Sequence, residues 1–501
     1  MSHPTDVLVV GGGSAGAVLA ARLSEDPDRH VVLLEAGPAY TAADSPAALL
    51  DASNLADPDF DWGYTSHANA LSAQIPTPRG KVLGGSSAVN GGAALRPRPA
   101  DFARWAGHGL DDWTFADVLP FFRDLENTPT GEDAFHGRSG PMPVRQRAES
   151  ELTPAQRAFI EACVARGFKR VPDFNGAEQD GAGGHAVNIV DGVRQNTALV
   201  YLTPDVRARP NLTVHGEVTV DRVLFQGATA TGVAAADGSV FAAREVILSA
   251  GTYGSAAILL RSGIGPAEDL AALGIDLVAE LPVGRRLQDH PFFHTLYALA
   301  PDHLVASPAI GSMLWTASSE AGDDALDLNV VAAHPAQAPF SPTGAALALS
   351  AALVDPESRG TLRLAGRDPL APPLIDDNYL GTDRDRRRML EAAKLARDLA
   401  RDPALAPYLA GLLIPAELPE DDADLMRLVE SNLSVYGHPT STAPMGGPGD
   451  PWAVVDSRGA VLGVDALRVV DASIIPQVTT SVTNLVTIMI AERIHRLVYA
   501  A

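Results

Sequence analysis

The chain has 501 residues, 38 of them basic and 61 acidic, for a formal net charge of −23; 46% of its residues are hydrophobic. The acidic excess argues against nucleic acid or an anionic membrane as the main partner. The length allows two or three domains, or one large domain with insertions, and the apolar share is ordinary for a globular core.

Val7 to Val10 form a short apolar run of the kind a buried parallel strand requires. Three glycines follow at the spacing G-x-G-x-x-G: Gly11, Gly13 and Gly16. Gly11 suits the tight turn out of the strand, Gly13 lets backbone approach a pyrophosphate, and Gly16 lets the next helix sit close to the strand. That helix would aim free N–H groups and its positive dipole end at phosphate. A second apolar run, Val31 to Leu34, ends in Glu35, placed where a ribose-binding acid is expected, about 20 residues past the glycines. A lone glycine signature is weak; strand, glycines, helix, strand and terminal acid in order form a dinucleotide cradle.

The stretch from Gly37 to about residue 75 lacks clear periodicity, and Trp62 and Tyr64 read as its packing anchors. Residues 78–92 form a second glycine-rich island with no apolar strand leading into it. Close packing against a flat ligand, with Asn90 presenting an amide, and a plain surface loop are both compatible with it. Residues 100–106 and 113–122 read as amphipathic helices, the second capped by Thr114. Thr153 to Arg166 is another, and it carries Cys163, the single cysteine, as a buried, inert thiol; no intrachain disulfide is possible.

Residues 172–196 read as a loop region rich in Gly, Asp and Asn. Residues 212–215, 218–225 and 231–236 alternate as antiparallel strands. Glu245 to Leu248 is a buried strand leading into a helix. From about 295 to 425 the composition shifts, which suggests a separate lobe. Its long helix, about 383–401, turns Met389, Ala392, Ala393 and Leu395 inward and its charges outward. The acids at 420–424 read as a helix start. No apolar run is long enough to cross a bilayer and no cleavable signal precedes the first strand, so a cytoplasmic protein is expected.

Two C-terminal stretches suggest catalysis. Pro439 restricts His438 to an extended backbone, so the imidazole projects from a loop. Asn484 stands at or near the start of the last helix, where asparagine is usually a cap. A histidine beside an amide can position a hydroxyl and take its proton, a contribution of roughly 10²–10⁴-fold. Neither residue stands out alone, since the chain has 13 histidines.

Taken together, these motifs resemble the glucose–methanol–choline (GMC) oxidoreductases, which are FAD-dependent. The resemblance runs nearly end to end: Gly11-Gly-Gly-Ser-Ala-Gly with Leu34-Glu-Ala-Gly, Lys81-Val-Leu-Gly-Gly-Ser-Ser-Ala-Val-Asn, Ile247-Leu-Ser-Ala-Gly, Leu287-Gln-Asp-His, His438-Pro, and Val469-Val-Asp-Ala-Ser with Thr483-Asn. It implies a mixed α/β fold, with a Rossmann-like FAD-binding domain over 1–150, 211–297 and 430–501. A substrate-binding domain on an antiparallel sheet backed by helices would occupy 151–210 and 298–429. By the same resemblance His438 takes the alcohol proton, hydride passes to flavin N5, and Asn484 orients the alcohol.

The resemblance also implies FAD contacts from Gly11, Gly13, Ser14, Ala15, Gly16, Glu35 and Ala36, and from Lys81, Val82, Gly85, Ser86, Asn90 and Gly91. It adds Val218 at the adenine, Ala250, Asp471 and Ala472 near the pyrophosphate, and Asn484 with Leu485. No metal is expected. Val89 stands where some relatives link FAD covalently through a histidine, so non-covalent FAD is expected. Gly437 stands where relatives often carry an aromatic residue, an exchange expected to open the pocket. The implied reaction is oxidation of a small alcohol, with oxygen or another electron acceptor. Cyanohydrin cleavage and fatty-acid photodecarboxylation, both known in the family, are the alternatives.

Overall fold

The computed structural model describes residues 5–69, 74–322, 324–335 and 337–500. A five-stranded parallel sheet is built in the order 212–215, 31–34, 7–10, 245–248, 467–469. Its central strands are buried on both faces, and Leu8, Val9, Val246, Ile247 and Leu248 are fully inaccessible. That explains their continuous Val/Ile/Leu runs, since a strand covered on both sides has no polar face to show. The helices Gly16–Leu23 and Asn484–Tyr499 pack against each other, and the hairpin strand Thr229–Ala235 packs on the sheet. Gly16 is the pivot: a Cβ there would lie 1.8 Å from the Gly11 carbonyl oxygen.

Residues 212–215 are a strand, as expected, but pair parallel to 31–34 at the sheet edge rather than antiparallel. Alternation reports which side chains are covered; it carries no information on strand direction. The strands 220–226 and 229–235 do pair antiparallel.

The second sheet is antiparallel throughout, in the order 409–414, 291–299, 346–353, 328–333, 310–316, 181–184, with 433–435 also on 291–299. The strand Pro291–Leu299 runs through position 297, so a boundary there would cut it. Residues 172–196 are not simply loop, since Gly181–Gly184 form the edge strand. Glycine reads as a loop signal, yet here it admits a neighbouring chain: a Cβ on Gly183 would lie 2.1 Å from the Val171 carbonyl oxygen.

Helix Asp383–Ala400 backs this sheet. Met389, Ala392 and Ala393 point inward as expected, with Ala396 and Leu399, while Leu395 is only half-buried. The charges are not all outward. Arg388 is buried with Asp327 at 3.0 Å and Asp385 at 2.6 Å. Cys163 lies fully buried in the helix Pro154–Ala165, and Asp421 caps the helix Asp422–Ser431. Asp327→Ala would leave Arg388 buried with half of its compensation. Stability should fall by roughly 3–5 kcal/mol, seen as a clear drop in the thermal unfolding midpoint.

Candidate active site

Four parallel strands deliver their C-terminal ends to one cavity of about 500 Å³. Gly11 follows the first, Glu35 the second, Ala250 the fourth and Asp471 the fifth, and all four residues line it. Ligands of open parallel sheets bind in this crevice. The helices Gly16–Leu23, Gly251–Arg261 and Asn484–Tyr499 begin at its wall. None has an acid in its first turn or a cap from its own N-cap side chain. At the second of these, Asp471 accepts from the Gly251 N–H at 2.9 Å and from Ser255 Oγ at 2.6 Å.

The two glycine islands meet here. The Gly84 N–H donates to the Gly12 carbonyl at 2.8 Å. Gly85 has φ +53°, and a Cβ on it would lie 2.7 Å from Gly13 Cα. The second island is thus part of the cradle rather than a plain surface loop. Glu35 accepts from the N–H groups of Gly12 and Gly37, each at 2.8 Å. Burial pushes its carboxyl up to about 7 against those two amides. The Val218 N–H donates to the Glu35 carbonyl at 2.8 Å.

The cavity brings together Gly11, Gly13, Ser14, Ala15, Glu35, Ala36, Gly85, Ser86, Asn90, Gly91, Val218, Ala250, His438, Asp471, Ala472 and Asn484. Four expected residues stand behind its wall. Gly16 packs on Gly11, Val82 and Leu485 are buried, and Lys81 places its ammonium 4.8 Å from the centre of the Trp62 ring. Trp62 and Tyr64, read above as packing anchors, line the cavity as a stacked pair with centroids 5.7 Å apart. Arg79 and Tyr253 line it too and carried no sequence signal of their own.

His438 is held on several sides. Its N–H donates to Asp289 Oδ1 at 2.7 Å, its Nδ1 lies 3.0 Å from His290 Nδ1, and the Tyr436 ring lies 4.3 Å away. Burial lowers the His438 imidazole well below its usual range, helped by His290 and the Arg79 guanidinium, so the ring is neutral. With Nδ1 engaged, Nε2 is the nitrogen left for a ligand. Gly437 lines the cavity. The Arg79 guanidinium fills the space beside it, 2.8 Å from where a Cβ would stand, and φ at Gly437 is +89°.

Asn484 begins the last helix but does not cap it. Its Oδ1 accepts from Ser14 Oγ at 2.8 Å. Its Nδ2 is buried with no hydrogen-bond partner, although a buried donor without a partner is costly. An oxygen or nitrogen acceptor in the cavity would satisfy it. FAD fits these residues. The uncapped starts of helices Gly16–Leu23 and Asn484–Tyr499 suit its phosphates, a bare glycine contact admits close backbone approach, and Asn484 Nδ2 lacks an acceptor.

The family description "GMC oxidoreductase" matches residues 5–292 and again 356–491. An oxygen-dependent choline dehydrogenase of Ectopseudomonas mendocina is 37% identical, covering 99% of this chain and 94% of its own length. The mitochondrial choline dehydrogenase of Homo sapiens is 36% identical, covering 97% and 88%. The crystal structure of pyridoxine 4-oxidase from Mesorbium loti superposes with a TM-score of 0.90 at 33% identity, covering 99% of both chains. Gly85→Ala would push the two islands apart. It should weaken flavin binding at least about tenfold, or ~1.4 kcal/mol, measured as visible absorbance retained per protein after gel filtration.

Proposed function

This chain belongs to the GMC oxidoreductases and is a FAD-dependent enzyme acting on CH–OH groups; from that premise we propose that His438 takes the alcohol proton while Asn484 holds the alcohol oxygen. The observation that carries the proposal is that one cavity is lined both by a neutral imidazole and by an amide donor that lacks a partner. Ser14 Oγ donates to Asn484 Oδ1, which turns Nδ2 to the ligand side. The alcohol oxygen accepts from Asn484 Nδ2 and donates its own proton toward His438 Nε2. The site thus offers one donor and one acceptor to a group that needs one of each. FAD, when bound, supplies the acceptor for the hydride leaving the carbon.

The parallel-sheet half would hold FAD, with the antiparallel sheet on the substrate side of the cavity. Gly11, Gly13, Ser14 and Ala15, with Ala250, Asp471 and Ala472, would hold its phosphates. Glu35, Ala36 and Val218 would hold its adenosine, and Gly85, Ser86, Asn90 and Gly91 its flavin. Gly16, Val82 and Leu485 keep this wall in place by packing, and Lys81 does so through Trp62. Val89, a cavity residue that carries no nucleophile, supports FAD held without a covalent bond. No helix among the described residues is long and apolar enough to cross a membrane, which suits a cytoplasmic setting.

The relatives are named as dehydrogenases and oxidases, which supports oxidation over cyanohydrin cleavage or photodecarboxylation. Electrons then pass to oxygen or another acceptor. The substrate is a small neutral alcohol held among Trp62, Tyr64 and Tyr436. A quaternary ammonium such as choline is disfavoured, since the Arg79 cation lies beside Gly437, while the lining carboxylates Glu35 and Asp471 belong to the nucleotide end.

An anaerobic screen of alcohols for flavin bleaching, followed by air, reads substrate class and oxygen reactivity together. A neutral aromatic alcohol should bleach the flavin at least about tenfold faster than choline, a difference of ~1.4 kcal/mol in barrier. His438→Ala should slow bleaching by roughly 10²–10⁴-fold, and an unchanged rate would remove His438 from this role. Since burial holds the folded imidazole below 6.5, the base is already unprotonated above that pH. The bleaching rate should therefore be flat from there upward and decline only in acid. Acid precipitation should leave all the flavin in the supernatant; yellow pellets would signal a covalent bond.

A further inference from the structure

We propose that His185 is a specificity-determining residue whose imidazole hydrogen-bonds a second, neutral hydroxyl of the substrate, so that the enzyme's substrate is a hydroxylated aromatic alcohol; the inference rests on the reading of His438 and Asn484 as the groups that meet the reacting CH–OH. His185 lines the same cavity as those two residues. It is 1% exposed, and its Nδ1 is buried with no hydrogen-bond partner among the described residues.

The backbone fixes where the ring goes. His185 directly follows the glycine edge strand Gly181–Gly184. Its N–H donates to the Gly311 carbonyl at 2.8 Å, and its carbonyl accepts from the Arg147 N–H at 3.0 Å. A Cβ on Gly184 would lie 2.5 Å from the Arg147 carbonyl oxygen, so that face of the strand is closed. The next side chain, His185, projects from the opposite face. Other buried histidines of this half are met by protein groups. His334 meets Thr153 Oγ1 at 2.9 Å and the Ala346 carbonyl at 2.7 Å, and His294 meets Ser350 Oγ at 2.8 Å. The cavity residues Ala93, Ile310 and Val331 offer His185 no side-chain donor or acceptor. A buried polar atom without a partner is costly, so its partner comes with whatever fills the cavity.

Burial lowers the His185 imidazole to about 4, and the Arg147 guanidinium acts in the same direction. The neutral ring carries one N–H donor and one lone pair. A hydroxyl accepts from the first or donates to the second, so it satisfies the ring in either tautomer. A carboxylate would sit buried on an uncharged ring, and an ammonium would face Arg147. One apolar cluster joins this corner to the reacting end. Ala186 packs in it with Ala93, Val331, Val482 and Tyr436, and the Tyr436 ring lies 4.3 Å from the His438 ring. The cavity thus offers two imidazoles bordering one apolar stretch, which suits an aromatic ring bearing a hydroxymethyl group and, at another position, a hydroxyl. With FAD on the parallel-sheet half, His185, tied to the antiparallel sheet, is left to the substrate.

The test is anaerobic flavin reduction of the FAD-loaded enzyme by the meta and para hydroxybenzyl alcohols, the methylbenzyl alcohols of the same positions, and para-carboxybenzyl alcohol. At low concentration one hydroxy isomer should reduce the flavin at least about tenfold faster than its methyl counterpart, the gain lying in the half-saturating concentration rather than the limiting rate. His185→Phe should abolish that preference. His185→Asn and His185→Gln set an amide near the Nδ1 and Nε2 positions, and one of them should restore most of it. Equal rates for hydroxy and methyl isomers, a preference that survives in His185→Phe, or faster reduction by the carboxylate overturn the proposal. Flavin lost from folded His185→Phe also overturns it, by giving the ring to FAD. If His185→Phe does not fold, ¹⁵N NMR of the ring-labelled enzyme decides, with His185 assigned by its loss in His185→Asn. The hydroxy isomer should shift its ring signals and the methyl isomer should not; equal shifts overturn the proposal. The underlying reading fails separately, if His438→Ala keeps the full rate with every alcohol.

Discussion

The site depends on one short pairing of two irregular segments. Gln288 exchanges backbone hydrogen bonds with Thr440 at 3.2 and 2.8 Å, and the Tyr436 N–H donates to the His290 carbonyl at 3.2 Å. Between these points Pro439 has no N–H to give, and the His438 N–H goes to the Asp289 side chain instead. The segment 288–290 runs straight into the strand Pro291–Leu299 of the antiparallel sheet. The segment 436–440 is tied to the parallel-sheet half, where Thr252 Oγ donates to the Pro439 carbonyl at 2.6 Å. His438 therefore sits on the seam between the two sheets, fixed from both, which is how a loop residue obtains the rigidity catalysis requires.

Burial at this seam sets the chemistry. Asp289 is buried, and burial raises its carboxyl to about 6 despite the nearby Arg79 guanidinium. Burial also lowers both imidazoles. The shared physical cause is the low polarity of the surroundings, which penalises every charged form. A neutral histidine in such a place is a ready proton acceptor only when a proton arrives together with a compensating anion. A bound alcohol supplies that combination, since its oxygen becomes the anion as its proton leaves.

The nucleotide half was largely legible in the sequence. Continuous apolar runs, glycine spacing and a terminal acid each answer to a local steric or electrostatic demand, and those demands survive folding unchanged. The helix start capped by Thr114 was equally local. What stayed hidden depends on distant partners. Gly181 and Gly183 belong to a strand whose neighbours Lys169 and Val171 leave no room for a Cβ at either position. Arg388 is buried because Asp327 and Asp385 meet it. Gly437 makes room for a guanidinium from 358 residues earlier in the chain. Trp62 and Tyr64 fit the role of packing anchors until the fold opens a cavity beside them. The Leu287-Gln-Asp-His motif was visible as a family resemblance, but its contact with His438 spans 148 positions and has no trace in local pattern.

The two side chains proposed to face the alcohol are each held by a contact of their own. Ser14, in the first glycine turn, donates to Asn484 and so selects the amide nitrogen as the cavity donor. A side-chain amide without that bond could present either end, and half of its orientations would oppose an alcohol oxygen with another oxygen. His290, at the entrance to the antiparallel sheet, meets His438 at its other nitrogen. Ser14 does not have to touch the reacting carbon for its effect, because it fixes which atom Asn484 offers. Correct donor identity at the alcohol thus follows from the contact between the first glycine turn and the start of the last helix.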